Sequence, residues 1–232
     1  MKIINFPELE SKLLRAILKF LQPSENHQVW LVGGSIRDLL RGKETCYDLD
    51  LATSFNPIKL ACNFANETGS GVVILDQERH IVRVVYTADN GAVYTFDISE
   101  FRAENIDLDL KARDFTINSI AAPLFGKGLE LLNSNKISLY DPLNGERDLE
   151  NNVIEACSES LFTDDPLRIM RAFRFSALKA SGTDISTAFF IVSQSIPSAS
   201  VERPISATLT AFSLPASLAR ASASAAMTFA PA

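Results

Sequence analysis

Residues 31–51 read LVGGSIRDLLRGKETCYDLDL, and this stretch decides the fold. The apolar residues before Gly33 predict a short strand over residues 29–32, and residues 36–40 follow a helical pattern. Gly33 and Gly34 therefore lie between a strand and the start of a helix. At such a junction, free backbone N–H groups and the positive end of the helix dipole point toward one place, which suits a phosphate group.

The end of the same stretch carries two acidic residues, Asp48 and Asp50, which alternate with Leu49 and Leu51. On a strand, residues i and i+2 project from the same face, so both carboxylates can reach one site while the leucines face the core. Carboxylate oxygens are hard ligands that suit Mg²⁺. Beside a phosphate-binding turn, the pair predicts Mg²⁺ and a nucleoside triphosphate.

Each feature is weakly specific alone, since a glycine pair usually marks only a tight turn and a D-x-D pair often lies at a solvated strand end. In the order strand, glycine pair, helix and D-x-D strand, they resemble the signature of the class II nucleotidyltransferases, which have a DNA polymerase β-like head. More narrowly, GGSIRDLL followed by YDLDLAT resembles the tRNA nucleotidyltransferase and bacterial poly(A) polymerase family. The resemblance extends over residues 29–177.

The resemblance implies an α+β fold. Residues 28–150 are expected to form a nucleotidyltransferase head with a mixed twisted sheet flanked by helices, and residues 151–203 a helical neck. The apolar pattern before the head predicts an amphipathic helix within residues 1–27. Residues 204–232 are rich in Ala and Ser. They offer too little apolar volume to offset the entropy of ordering, so a disordered tail outside the family pattern is expected there.

The composition narrows the class of protein. A chain of 232 residues can bury a sizeable core. No apolar run approaches the length of a membrane span, and the N-terminus lacks the uninterrupted apolar region of a secretion signal. A cytoplasmic protein without a membrane segment is therefore expected, with organelle targeting left open. The three cysteines lack C-x-x-C pairs, which argues against structural zinc. The net charge of −6 argues against general nucleic-acid binding but is compatible with a local basic groove.

A third carboxylate follows in VYTFDISEFR, at Asp97. In polymerase β-like heads an acid on a neighbouring strand completes the metal site. The resemblance therefore implies a catalytic site with two Mg²⁺ ions held by Asp48 and Asp50, with Asp97 as a further ligand of the ion that activates the attacking hydroxyl and Glu100 as the alternative ligand. The simpler interpretation of Asp97 is an acid at a strand edge.

Residues 111–121, KARDFTINSIA, resemble a family segment that reads RDFTINA. The Arg113 guanidinium offers a fork of donors that suits a phosphate. The pattern predicts a helix over residues 112–121, on which Asp114 and Asn118 would share one face and hold the ribose hydroxyls. The alternative is that Asp114 is an N-cap-type residue beside core side chains. Contacts with the nucleotide are expected from residues of two motifs. In the first motif they are Gly33, Gly34, Ser35 and Arg37, and in KARDFTINSIA they are Arg113, Asp114 and Asn118.

Residues 162–177, FTDDPLRIMRAFRFSA, resemble the family segment that reads the incoming base. The sequence predicts a helix that starts around Thr163–Pro166, covers residues 167–180 and ends near Gly182. Asp165 and Arg168 stand three apart on one face, so the carboxylate can accept from the exocyclic amine of cytosine or adenine while the guanidinium donates to the ring. Uracil and guanine present a carbonyl at that place, which is costly in a buried site. The alternative is an i,i+3 salt bridge.

Taken with the resemblance, these motifs imply transfer of CMP, AMP or both from CTP or ATP to the 3′ end of tRNA, with release of pyrophosphate. Addition of the full CCA end, of CC alone or of A alone is left open, although LDQERHIVRVV and FDISEFR look closest to the branch that includes CC-only and A-only enzymes. Two alternatives stay open. The chain could be a poly(A) polymerase, or a truncated nucleotide-binding remnant with weak tRNA affinity and little catalysis.

Overall fold

The computed structural model describes residues 2–21, 27–158 and 160–180, with residue 164 and residues 176–180 described by their backbone alone. The end of the last helix near Gly182 and the Ala/Ser-rich tail over residues 204–232 lie outside the described residues. Within these residues, no helix is both long and apolar enough to cross a membrane.

The described residues form both strands and helices. The strands are β1 (Ile3–Asn5), β2 (Val29–Val32), β3 (Asp48–Thr53), β4 (Gly71–Asp76), β5 (Ile81–Thr87), β6 (Val93–Glu100), β7 (Ala121–Pro123) and β8 (Lys136–Ser138). The α-helices are α1 (Glu8–Leu18), α2 (Gly34–Leu40), α3 (Ile58–Thr68), α4 (Ile106–Lys111), α5 (Lys127–Asn133), α6 (Gly145–Glu150), α7 (Leu161–Asp164) and α8 (Arg168–Ala180). A 3₁₀ turn covers Thr116–Asn118.

The main sheet has six strands in the order β4-β5-β6-β3-β2-β7. The central pair, β3 and β6, is parallel, and the other neighbours are antiparallel. Strands β1 and β8 form a separate antiparallel pair. This arrangement confirms the predicted α+β fold with a mixed sheet and helices around it.

Two cores cover the two faces of the main sheet. The larger one contains the alternate residues Leu49 and Leu51 of β3 together with side chains of α1 and α3. The other contains Val32 and residues of α4. Because the leucines of the D-x-D strand face the larger core, Asp48 and Asp50 project from the other face of the sheet, as the alternation predicts.

A third, smaller core joins α8 to the segment after α4. Phe115, Ile117 and Phe175 are buried in it, and the rings of Phe115 and Phe175 meet edge to face with 5.9 Å between their centroids. This packing sets the position of α8 relative to the sheet. It therefore brings the predicted base-reading helix to the same side of the molecule as Asp50.

One local prediction requires correction. The helix predicted over residues 112–121 is wrong, because α4 begins earlier, at a cap formed by the Asn105 side chain, which accepts from the backbone N–H of Leu108. Phe115 is extended and pairs with Ala156 in an isolated bridge, which prevents a helix there. At the N-terminus, α1 is the predicted amphipathic helix, and it is preceded by the strand β1, which was not predicted.

The predicted helix over residues 167–180 is confirmed to within one residue, since α8 begins at Arg168. A separate short helix, α7, precedes it. The break falls at Asp165, whose backbone is extended at φ −150° and ψ 96°. Asp165 precedes Pro166, and the ring of a proline disfavours helical geometry in the residue before it.

Candidate active site

A cleft of about 1180 Å³ opens between the face of the sheet that carries the aspartates and the start of α8. Most of the site residues predicted from the sequence line it, and they are Gly33, Gly34, Arg37, Asp50, Asp97, Arg113, Asp114, Asn118, Asp165 and Arg168. Asp48 and Ser35 do not line it: Asp48 is exposed and Ser35 is buried. The fold thus brings together residues that lie more than a hundred positions apart in the chain.

The acidic residues lie on the two parallel strands at the centre of the sheet. In the register of β3 and β6, Asp50 stands directly opposite Asp97, and Asp48 stands opposite Thr95. The Thr95 hydroxyl donates a hydrogen bond to the Asp48 carboxylate. Neighbouring strands lie about 4.8 Å apart, so two in-register carboxylates of one face are within reach of a shared cation.

Asp50 is the most enclosed of these acids. Burial raises the pKa of its carboxyl above the ordinary value, and the nearby Asp97 and Asp48 carboxylates act in the same direction. The Arg113 guanidinium and a hydrogen bond from the Gly34 backbone N–H act in the opposite direction. A cation beside Asp50 would relieve the repulsion between like charges, which is the electrostatic setting that favours metal binding.

Asp97 is held by a residue that the sequence did not single out. Arg83 lies opposite it on β5, and the guanidinium donates from Nε to Oδ1 and from Nη2 to Oδ2, each at 2.6 Å. Glu100, the alternative ligand predicted from the sequence, is paired with His80 instead.

The donor set fits a divalent cation by its chemistry and its backbone placement. Three carboxylates on one face of neighbouring strands supply the hard oxygen ligands that Mg²⁺ prefers. In the conformation described, however, Asp97 is directed to Arg83 and Asp48 to Thr95. Accordingly, the described part of the chain contains no group of three His, Cys, Asp or Glu side chains already arranged around one point. Cation binding therefore requires rotation of these side chains.

Gly33 allows the turn after β2 to approach the aspartates closely. Its φ of +76° favours glycine, and a Cβ there would lie 3.1 Å from Oδ2 of Asp50 and 3.6 Å from Nη1 of Arg113. The turn therefore brings bare backbone against the carboxylate, which is the close approach that the glycine pair predicts.

If the cleft holds a nucleoside triphosphate, as the motifs predict, Gly33→Ala is expected to weaken its binding about tenfold, because the added methyl pushes the Asp50 carboxylate away by a few tenths of an ångström and covers the bare backbone. Gly42→Ala is the matched control, since Gly42 has a similar φ of +86° but nothing lies within 4 Å of a methyl added there. Titration of each variant with a fluorescent nucleoside triphosphate measures both affinities. If Gly33→Ala and Gly42→Ala showed equal losses, backbone strain alone would explain the effect of Gly33→Ala.

Arg113 is fixed by an acid that sequence reasoning missed. Its Nε and Nη2 donate to Oδ2 of Asp109 at 3.0 and 2.9 Å, in an ion pair where both side chains are buried. The Nη1 end faces Gly33. The sequence could have indicated this ion pair, because the two residues stand four apart, the spacing at which side chains meet on a helix.

Asp114 and Asn118 meet as predicted, although not on an α-helical face. The Asn118 amide donates to Oδ1 of Asp114 at 3.1 Å across the 3₁₀ turn. Arg37 donates to Oδ1 of Asn118 at 2.6 Å, and Arg171 pairs with Asp114 at 2.7 Å. Asp114 Oδ1 also accepts from the Phe115 N–H at 2.8 Å, but Phe115 itself is the N-cap of the 3₁₀ turn and no side chain caps it, which argues against the N-cap alternative for Asp114.

Asp165 and Arg168 lie on one side of the cleft, at the start of α8. Oδ2 of Asp165 is 3.6 Å from Nε of Arg168, and Oδ1 accepts from the Leu167 backbone N–H at 3.0 Å. This geometry is compatible with both interpretations made from the sequence, a base-reading pair and an i,i+3 ion pair.

Comparison with known proteins identifies the family. Residues 29–155 match the model of the poly(A) polymerase head domain, which is more than half of the chain. The chain belongs to this head-domain family.

Two curated relatives illustrate the match of this head domain. A CC-adding tRNA nucleotidyltransferase of Synechocystis sp. is 35% identical over 151 residues, which cover 65% of this chain and 33% of that protein. A CCA-adding enzyme of Lactobacillus johnsonii is 32% identical over 188 residues, which cover 75% of this chain and 42% of that protein. The chain thus spans about a third to two fifths of the length of these relatives.

Solved structures show the same fold. A CCA-adding enzyme in complex with CTP superimposes with a TM-score of 0.59 at 30% identity, covering 76% of this chain and 42% of that one. The Thermotoga maritima CCA-adding enzyme in complex with tRNA superimposes with a TM-score of 0.58, also at 30% identity and with the same coverage of both chains.

The cleft of the head-domain protein also contains residues of α8 that were not predicted, namely Arg171, Arg174 and Phe175. The guanidinium carbons of Arg37 and Arg174 each lie 5.1 Å from the centroid of the Phe175 ring. The sequence could have indicated these arginines, because the spacing of residues 168, 171 and 174 places three guanidinium groups on one side of a helix. The cleft is therefore rich in arginine, although the carboxylates in its lining nearly balance that charge and the whole chain is acidic.

Proposed function

We propose that this protein transfers CMP, AMP or both from CTP or ATP to the 3′ end of tRNA and releases pyrophosphate. The observation that carries the proposal is the in-register placement of Asp50 and Asp97 on β3 and β6, beside Gly33 in one arginine-rich cleft. The relatives named for CC and CCA addition, and the neighbours in complex with CTP and with tRNA, support the same reaction.

In the proposed reaction, the 3′-hydroxyl of tRNA loses its proton to solvent, its oxygen attacks the α-phosphorus, and the bond between this phosphorus and the pyrophosphate oxygen breaks. Mg²⁺, held by Asp48, Asp50 and Asp97, would supply charge neutralisation at the phosphates and lower the pKa of the attacking hydroxyl. The chain provides positioning: the bare backbone at Gly33 and Gly34 lets the phosphates approach, and Arg113 faces them with a guanidinium that Asp109 orients.

The sugar and the base would be held by the side of the cleft next to α8. The linked side chains of Arg37, Asn118 and Asp114 form a polar edge suited to the ribose hydroxyls. Asp165 and Arg168 would read the base, because a carboxylate beside a forked donor matches the exocyclic amine and ring acceptor of cytosine and adenine. No template is needed for this selection.

Arg168→Ala is expected to reduce the preference for CTP and ATP over UTP and GTP by about tenfold to a hundredfold, since the discriminating donor is lost. The ratio of kcat/KM values for the four nucleotides measures this. Arg168→Lys is the matched variant, because it keeps the charge and loses the planar fork. If Arg168→Ala left the four ratios unchanged, the Asp165 pair would be only a helix salt bridge.

The reaction can be tested with tRNA substrates that end before CCA, after C or after CC, supplied with labelled CTP and ATP separately. Two labelled cytidines on the first substrate indicate CC addition, and one adenosine on the last indicates A addition. Long adenosine tails would support the poly(A) polymerase alternative. Binding of CTP with no label on any RNA would support the alternative of a nucleotide-binding remnant, for which weak tRNA affinity is expected.

A further inference from the structure

Arg83 contacts one of the predicted metal ligands directly. It stands opposite Asp97 across the antiparallel pair β5–β6, and its fork takes up both carboxylate oxygens at 2.6 Å. Its side chain is 43% exposed and that of Asp97 is 31% exposed. Such a pair is well formed in geometry but accessible to water.

The charge around Arg83 explains why the guanidinium lies there. Asp97 raises the pKa of Arg83, and Asp48 and Asp50 act more weakly in the same direction, so the guanidinium senses all three carboxylates. Three like charges on one sheet face repel one another, and a single positive charge among them relieves that repulsion. Arg83 therefore serves as the counter-charge of the acidic cluster in the described conformation.

A contrast with Arg113 shows that the two arginines play different parts. The Arg113–Asp109 pair is almost completely buried, so breaking it would leave an uncompensated charge out of water. The Arg83 side chain can instead rotate into solvent, because exposed ion pairs contribute little net free energy. Of these two ion pairs, Arg83–Asp97 is the one that can open at low cost.

We propose that Arg83 is a displaceable counter-ion of Asp97, which competes with the divalent cation for the same carboxylate oxygens. The inference rests on the proposed function in one respect, since it takes Asp97 as a metal ligand. Arg83 is thus a positioning residue: it keeps Asp97 in place and neutralised before the cation binds and releases it when the cation arrives. If Arg83 competes with the cation, removal of its guanidinium should tighten cation binding. If Arg83 instead held Asp97 in the cation-binding position, the same removal should weaken cation binding.

The test is the affinity for Mn²⁺ alone, followed at constant pH and ionic strength through the electron paramagnetic resonance signal of the free ion. No nucleotide or tRNA is present, so the readout does not depend on activity. Arg83→Gln is expected to lower the Kd for Mn²⁺ about threefold to tenfold relative to the unmodified protein. Arg83→Lys keeps the charge but not the fork, and an intermediate Kd is expected.

The matched control is Arg79→Gln. Arg79 lies just before β5, the strand that carries Arg83, and lines the cleft, but its side chain is 82% exposed and its ion pair is with Asp76, which is not a predicted metal ligand. The Kd of Arg79→Gln for Mn²⁺ should equal that of the unmodified protein. The effect of Arg83→Gln should also disappear in an Asp97→Asn background, because the double-mutant cycle isolates the coupling between the two residues.

An unchanged or higher Kd in Arg83→Gln would overturn the proposal, as would the same decrease in Arg79→Gln. Either result would leave nucleotide transfer to tRNA untouched, since that reaction is measured separately by label at the RNA 3′ end. Conversely, tighter Mn²⁺ binding in Arg83→Gln with no transfer by any variant would support the competition and contradict the proposed function. Urea unfolding of each variant confirms that folded proteins are being compared.

Discussion

Asp48→Ala is expected to lower the incorporation of CMP and AMP about a thousandfold. The proposed reaction concentrates negative charge at the transferring phosphoryl group, and removal of one metal ligand forfeits about 4 kcal/mol of its stabilisation. Asp48 is the best of the three acids for this test, because it is exposed and outside the hydrophobic cores. Its loss should therefore leave the folded structure intact. The measurement is the initial rate of label incorporation at saturating nucleotide.

The matched control for this experiment is Glu67→Ala. Glu67 is an exposed acid on α3 and does not line the cleft. Its removal changes the net charge by the same amount, so it corrects for long-range electrostatics. Full activity in both variants would mean that the D-x-D strand is not the catalytic site, and equal losses in both would point to a general charge effect.

Gly145→Ala is expected to destabilise the fold by about 3 kcal/mol or more, which is the largest stability effect we predict. A Cβ at this position would lie 2.1 Å from the carbonyl oxygen and 2.7 Å from the carbonyl carbon of Thr116. These are backbone atoms of the 3₁₀ turn that carries Asn118, so they cannot move without changing the site. Urea-induced unfolding followed by circular dichroism measures the loss.

Gly91→Ala is the comparison variant, because it introduces backbone strain without a clash, whereas Gly145, whose φ is not positive, meets the clash alone. Gly91 has a φ of +81° in the hairpin between β5 and β6, and nothing lies within 4 Å of an added Cβ. A cost of about 1 kcal/mol is expected from the left-handed backbone alone. If Gly145→Ala were no more destabilising than Gly91→Ala, the close packing of α6 on the 3₁₀ turn would be wrong as described.

The parts of the fold that the sequence predicts well are those with strong local patterns. The alternation of Asp48, Leu49, Asp50 and Leu51 indicates a strand with two chemically different faces, and the burial of the leucines follows it. The start of α8 was also predictable, because Pro166 restricts the residue before it. In both cases the local sequence and the tertiary packing favour the same conformation.

The failed predictions are those in which a distant partner determines the conformation. The segment around Phe115 has a helical pattern, yet it is extended because Phe115 bridges to Ala156, some forty residues away. Strand β1 forms only by pairing with β8, at the other end of the head. Three-residue strands of this kind carry too little local signal for recognition.

The residues of the candidate site also fall into two groups, those that local spacing predicts and those that depend on distant partners. Spacing alone placed Asp48 and Asp50 on one face, but Asp97 was assigned through the family resemblance, since the order of strands in the sheet cannot be read from spacing. The register that sets Asp97 beside both Asp50 and Arg83 follows from that order. The Arg83 pair was missed for this reason, whereas the ion pair of Arg113 with Asp109 had a visible i,i+4 spacing.

The most direct test of the account is a count of products from one reaction with tRNA that lacks its 3′-terminal CCA. The protein is incubated with Mg²⁺ and each labelled nucleotide in turn, and pyrophosphate is measured beside the label on the RNA. The proposed reaction predicts label from CTP, ATP or a defined sequence of the two at the 3′ end, with one pyrophosphate released per nucleotide added. Equal incorporation of all four nucleotides, or no label on any tRNA end while CTP still binds, would contradict it.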